Sequence, residues 1–177
     1  MIKAILKKMY RILKPVELPT FQPEFGGSGI TEDCYRWIVE NISPGAEVLE
    51  FGAGLVSTPK LGEIFSLTSI EHNEQYIGQF NSNYIHAPLS KWDGWYQRDK
   101  VEKIKNLNFE LAIIDGPPGS GNRFGILLNL DLISKIPIIL IDDADRPSEK
   151  ILLQLLSQNL NSEYTDFGHF AVITNRL

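Results

Sequence analysis

The sequence predicts an α/β fold, a single doubly wound and mainly parallel sheet that ends in a C-terminal antiparallel hairpin. Three observations carry this. Short apolar runs that finish in an acid (Glu50, Glu71, Asp115, Asp142) alternate with stretches of helical spacing. A glycine turn, Gly52-Ala53-Gly54, leads from the first of these runs toward a helix start. Residues 164–167 and 169–174 read as two strands joined at Gly168. Alternation of strands and helices forces parallel pairing through crossovers, whereas two strands joined directly must pair antiparallel.

Taken in order, residues 1–14 place Ile2, Ile5, Leu6, Met9, Ile12 and Leu13 at helical spacing with the cations on the other side, a basic amphipathic helix. Pro15 and Pro19 end it, so residues 1–20 stand as helix and linker and 21–177 as the domain. Thr31, followed by Glu32 and Asp33, opens a helix to about Asn41 with Tyr35, Ile38, Val39 and Ile42 inward. After the Ser43-Pro44-Gly45 turn comes the central strand, 46–51. Thr58 caps and Pro59 starts the next helix, which runs to about Phe65.

A second strand covers 67–71, a helix is expected from about Asn73 to Asn83, and a third strand spans 84–87. Residues 89–96 lose periodicity; Trp92, Trp95 and Tyr96 either line a pocket or cap the core. A strand over 109–115 precedes the Gly116-Pro117-Pro118-Gly119 loop, which cannot stay helical for long. A helix over about 122–134, the apolar strand 136–142 and a last helix from Asp145–Pro147, with Ile151, Leu152, Leu155 and Leu156 buried, complete the alternation.

A chain of 177 residues is long enough for one domain with a sizeable core. Its single cysteine, Cys34, excludes an intrachain disulfide and a cysteine metal cluster, and reads best as a half-buried helix residue. No run is long enough to span a membrane, so a cytoplasmic location is the expectation, with residues 1–14 either touching the inner face of a membrane or docking on protein. Those residues carry five basic side chains and no acid; the rest holds 12 basic against 22 acidic groups. An acidic body argues against a nucleic-acid partner, whose phosphates it would repel.

Gly52 and Gly54 let the backbone turn sharply and approach a ligand, and Glu71 follows about 20 residues after Glu50, where a Rossmann-like crevice places a carboxylate for ribose hydroxyls. In a doubly wound sheet, the C-terminal strand ends face one crevice, so Glu50, Glu71, Asp115 and Asp142 converge there. Such clustered acids call for a cation, either a metal or a positively charged ligand. Asp115, Asp142 and Asp143 have the oxygen chemistry of a magnesium or calcium site, although Asp143 equally suits the cap of a turn and Asp142 a hydrogen bond to a loop. Arg123 either holds an anionic substrate group or pairs with these acids. His72, His86 and His169 lie near strand ends, as bases or as satisfied polar residues. Gly-x-Ser-x-Gly and a P-loop lysine are both absent from the sequence.

Leu49-Glu50-Phe51-Gly52-Ala53-Gly54 with Ser57-Thr58, Ser69-Ile70-Glu71-His72-Asn73, Ile113-Ile114-Asp115-Gly116-Pro117-Pro118-Gly119 with Arg123, and Leu140-Ile141-Asp142-Asp143 together resemble the motifs of class I S-adenosylmethionine-dependent methyltransferases. The resemblance spans residues 48–143, over half the chain. It implies that Gly52, Ala53 and Gly54 approach the methionine part of S-adenosylmethionine, that Glu50 faces its amino end, and that Glu71 takes the ribose hydroxyls. Ser57, Thr58 and His72 complete the cofactor set, and Asp115 sits beside the amino group or the reacting centre.

The sequence departs from the family pattern twice. Ala87-Pro88-Leu89 follows the third strand where many relatives have an acid for the adenine, leaving Asp93 or an aromatic ring. Gly116 interrupts the Asp-Pro-Pro-aromatic motif of base-methylating enzymes. The acids at the fourth and fifth strand ends look like those of metal-dependent O-methyltransferases, which implies Asp115 and Asp142 in catalysis and Asp115, Asp142 and Asp143 around Mg2+. The acceptor is then a small molecule or saccharide. Two rivals remain: an NAD-dependent oxidoreductase, disfavoured because Ser57 replaces the third glycine of Gly-x-Gly-x-x-Gly, and a non-catalytic domain that binds S-adenosylmethionine or a partner.

Overall fold

The computed structural model describes residues 25–26, 29–119 and 121–175. The amphipathic helix expected over residues 1–14 and the linker to residue 20 lie outside the described residues. Among those described, no helix is long and apolar enough to cross a membrane.

Helix α1 (Glu32–Asn41) starts where Thr31 Oγ1 accepts the Cys34 N–H at 3.2 Å, satisfying one of the free amides of the first turn. Strand β1 (Glu47–Phe51) leads through the glycine turn into α2 (Ser57–Gly62), and β2 (Ser66–Glu71), β3 (Asn83–His86) and α3 (Arg98–Val101) follow. Next come β4 (Leu111–Ile114), a kinked 3-10 segment (Arg123–Leu132), β5 (Ile138–Asp142), α4 (Pro147–Leu160), β6 (Glu163–Asp166) and β7 (Phe170–Thr174).

The seven strands pair in the order β3-β2-β1-β4-β5-β7-β6. Strands β1 to β5 are parallel, and β7 runs antiparallel to both β5 and β6. This is the expected architecture. The order in which strands are added switches sides between β1 and β4, which leaves a crevice above their C-terminal ends. Successive residues of a strand face opposite sides. Val48, Leu67, Leu111, Ile113 and Leu140 therefore meet Cys34, Ile38 and Ile42 of the α1 layer. Leu49, Phe51, Ile70, Ala112, Ile114 and Ile141 meet Trp95, Tyr96, Ile126 and the α4 stripe.

Several local expectations are corrected. The helix expected over 73–83 is only a 3-10 turn, Glu74–Tyr76: the Asn73 side chain caps it, and Gly78 with φ 75° breaks any continuation. Helix α2 begins at Ser57, two residues before Pro59, and Thr58 is inside the helix rather than its cap. The segment after the Pro-Gly loop is 3-10 with a non-helical Asn129, not a regular helix. In α1, Val39 is exposed and Cys34 is fully buried rather than half-buried. In α4 the buried stripe is Leu152, Leu153 and Leu156, while Ile151 is exposed. Trp95 and Tyr96 belong to the core, whereas Trp92 is 93% exposed.

Candidate active site

The crevice is built on a buried carboxylate. Glu50 is wholly enclosed at the middle of the sheet, where Ser57 Oγ donates to its Oε1 at 2.5 Å and Thr58 Oγ1 and Ser69 Oγ donate to its Oε2 at 2.8 and 2.7 Å. Ser69 stands beside Glu50 in the β1–β2 register. Burial raises the Glu50 pKa above its ordinary value, against the three hydroxyls that favour the charged form. Thr58 Oγ1 also accepts the Gly54 N–H at 2.8 Å. Glu50, Ser57 and Thr58 are thus brought together beneath the glycine turn, and the Glu50 oxygens are engaged by hydroxyls of the chain itself.

The turn meets the β4 loop edge to edge. Gly52 has φ 95°, and a Cβ on it would come within 3.0 Å of the Gly116 backbone. A Cβ on Gly116 would lie 2.8 Å from Gly52 Cα and collide with the Tyr96 hydroxyl. Only glycine fits on both sides of this seam.

Glu71 stands at the end of β2 with its side chain 3% exposed. Its Oε2 accepts the Ala53 N–H at 3.0 Å and its Oε1 the Asn73 N–H at 2.6 Å. A carboxylate offers about four acceptor positions, so two stay open. His72 Nδ1 lies 2.8 Å from Glu71 Oε1 without hydrogen-bond alignment, and His86 Nε2 lies 3.2 Å from the His72 carbonyl oxygen. The third histidine, His169, is exposed and pairs with Asp145 at 3.2 Å. Asp93 Oδ1 accepts the Trp95 N–H at 3.1 Å and so closes its own loop.

At the ends of β4 and β5, the ligand atoms of Asp115, Asp142 and Asp143 all fall within 4.8 Å of one another. Arg123, 8% exposed, lies against them. It donates to the carbonyl oxygens of Pro117, Asp142 and Asp115, to Asp115 Oδ1 at 3.3 Å and to Asp143 Oδ2 at 3.0 Å, and lies 3.9 Å from Glu149. Arg146 reaches the same Asp143 oxygen at 2.7 Å. Four acids therefore face two arginines, and the cluster keeps a negative excess above the pH at which Asp142 ionises. Pairing with the acids accounts for Arg123.

Burial, then the neighbouring Asp142 charge, pushes the Asp115 pKa well above the carboxylate range. Burial and the Asp143 charge push Asp142 up to about 6, against Arg123 and a hydrogen bond with Asp115. An acid with a raised folded pKa keeps a proton that the unfolded chain has already lost. Its contribution to stability is complete below the ordinary value of 3.8 and is lost as pH rises through about 6. Asp142→Asn is therefore expected to leave stability near pH 4 almost unchanged and to raise it relative to wild type above pH 6, by up to about 2–3 kcal/mol. Denaturant melts at several pH values check this; a constant difference across the range would refute it.

Glu149 and Arg146 carry no signal in the sequence, since both look like ordinary polar residues at the start of an amphipathic helix. Ser69 carried a usable signal: a polar residue inside an apolar, buried strand needs a partner, and Glu50 is the matching anomaly on the adjacent strand.

No family model and no curated protein matches the chain. Its fold is similar to several solved structures. A TehB-like SAM-dependent methyltransferase from Corynebacterium glutamicum superposes with TM-score 0.54 and 15% identity, over 98% of this chain and 97% of that one. A methyltransferase from Pyrococcus furiosus gives 0.54 and 13% over the whole of both chains. The CmcI-N160 apo-structure gives 0.52 and 11%, over 97% and 84%. At these identities the likeness establishes a shared fold, the Rossmann-like seven-stranded sheet, and leaves the chemistry to the residues of the crevice.

Proposed function

We propose that this chain is an S-adenosylmethionine-dependent methyltransferase whose acceptor is an oxygen of a small molecule or sugar. One observation carries the reading: the Gly52–Gly54 turn, Glu71 and an acid cluster in charge excess meet above the C-terminal ends of β1, β2, β4 and β5. Bound S-adenosylmethionine supplies an activated methyl group on a positively charged sulfonium, and an anionic crevice suits that charge.

The chain's own residues fit this group. Glu71 has two acceptor positions open for ribose hydroxyls, Gly52 closes the turn against Gly116, and Gly54, where a Cβ would meet nothing nearer than Ser57 Oγ at 3.6 Å, leaves a ligand room against the backbone beside Ala53. Glu50, Ser57 and Thr58 act one step back by shaping that turn, and His72 borders the Glu71 carboxylate. Asp115 and Asp142 are the catalytic pair in this reading. With Asp142 ionising near pH 6, the pair can accept the proton that an acceptor hydroxyl must give up.

Metal assistance is a second reading, favoured by the oxygen cluster of Asp115, Asp142 and Asp143. The donor set suits Mg2+, but Arg123 and Arg146 already bind one Asp143 oxygen. A dication must compete with them. Full turnover in chelator would dismiss this second reading and leave the first intact.

Calorimetric titration with S-adenosylmethionine and with NAD, each with and without Mg2+, tests the proposal. The expected result is binding of S-adenosylmethionine, weakened about a hundredfold by Glu71→Ala through loss of hydrogen bonds to a charged acceptor. Binding of NAD alone would point to an oxidoreductase, and binding of neither to a partner-binding domain. Binding followed by methyl transfer to RNA or DNA rather than to a small hydroxylated acceptor would overturn the acceptor assignment.

A further inference from the structure

Tyr96 is 1% exposed, and its hydroxyl has no hydrogen-bond partner among the described residues. Its ring is held firmly, edge-on to Trp95 at 4.9 Å and tilted against Phe51 at 6.1 Å, and a bridge between Leu89 and Tyr96 fixes its backbone. The ring therefore cannot turn away to find a partner elsewhere. The hydroxyl stops at the seam between Gly52 and Gly116, close enough to collide with any side chain placed on Gly116.

A buried phenol without a partner is a standing cost to the folded state. The core around it would accept phenylalanine, since the ring packs in the apolar cluster with Phe51 and Trp95. The hydroxyl is also a donor of the kind the crevice is short of. Glu71 is an acceptor, Asp115 and Asp142 are engaged with each other, the Gly54 N–H is held by Thr58, and the Ala53 N–H is held by Glu71. A carboxylate entering this region meets acids and few free donors. Burial, with the nearby Glu71 and Asp115 charges, keeps the phenol protonated far above neutral pH, so it enters any such contact as a donor.

We propose that the Tyr96 hydroxyl binds the carboxylate at the amino-acid end of the methyl donor, as a specificity-determining contact beneath the Gly52–Gly116 seam. This rests on the reading of the crevice as an S-adenosylmethionine site. Contact requires the Gly52–Gly116 seam to part on binding.

The test compares Tyr96→Phe with wild type in three measurements: thermal melting without ligand, binding of S-adenosylhomocysteine, and binding of 5′-methylthioadenosine, which lacks the amino-acid end. The variant is expected to melt at or above the wild-type temperature, to bind S-adenosylhomocysteine about tenfold more weakly, and to bind 5′-methylthioadenosine as wild type does. Equal affinity of both proteins for S-adenosylhomocysteine overturns the proposal. So does an equal loss for both ligands, or a lowered melting temperature, either of which makes the hydroxyl structural. If wild type binds neither nucleoside, the cofactor reading itself fails and this inference falls with it.

Discussion

Arg123→Met is expected to destabilise the protein by about 3–5 kcal/mol, the usual cost of leaving buried charges without their partner. The arginine is 8% exposed and donates to five acceptors: three backbone carbonyl oxygens, Asp115 Oδ1 and Asp143 Oδ2. Methionine fills a similar volume, so most of the loss is electrostatic and carries a signature. Without the guanidinium, the acids escape their repulsion by binding protons. The destabilisation is therefore smaller at pH 5 than at pH 7.5, and denaturant melts at the two values measure the difference. Arg123→Lys recovers only part of the stability, because three N–H groups on a single nitrogen cannot cover five acceptors that a planar fork reaches from three nitrogens. A loss below about 1 kcal/mol for methionine, or one independent of pH, would mean that the cluster is not held together by this residue.

The convergence of acids at one end of the sheet was legible in the sequence because the signal is simple. Strands buried on both faces read as apolar runs, and an acid at the end of each run stands out. Topology then places those acids together whatever their separation along the chain, as the 4.8 Å cluster of Asp115, Asp142 and Asp143 shows. The charge balance within the cluster was less legible. Arg123 is separated by a Pro-Gly loop from Asp115, and nothing in the spacing says whether its long side chain turns inward. Its five donated hydrogen bonds depend on the path of residues 116–123, which the sequence constrains only through its prolines and glycines.

The misplaced helices have local causes. Asn73 to Asn83 has enough apolar residues for a helical stripe, yet the Asn73 side chain accepts the Gln75 N–H and Gly78 takes a positive φ, so the start and the middle of the segment prefer turns. In α4, the run Ile151-Leu152-Leu153 offers three apolar residues in a row, and a shift of one residue rotates the buried stripe by about 100°. The sequence leaves that choice to packing, and Leu153 goes inward in place of Ile151. The aromatic loop shows the same limit. Trp92 and Trp95 differ in exposure by nearly the full range because one sits at the tip of the loop and the other against Phe51, a contact made by tertiary structure alone.

Glu50→Ala is expected to destabilise the protein by a similar amount, about 3–5 kcal/mol, since it strands the Ser57, Thr58 and Ser69 hydroxyls in the core and leaves a cavity beside them. Glu50→Gln costs only about 1 kcal/mol: the shape is kept, and freely turning hydroxyls can accept from the new amide as well as donate to its oxygen. The pair of variants separates two roles. A carboxylate that touched the ligand directly would lose affinity in the glutamine variant while stability stayed near wild type. A carboxylate that acts through Thr58, whose hydroxyl oxygen holds the Gly54 N–H, loses affinity only where the turn itself loosens. Because both Glu50 oxygens are already engaged within the protein, the second pattern is expected: S-adenosylhomocysteine binds the glutamine variant nearly as it binds wild type and the alanine variant weakly. A glutamine variant that melts normally and fails to bind would instead put the carboxylate in contact with the ligand, through a rearrangement of the hydroxyls that now enclose it.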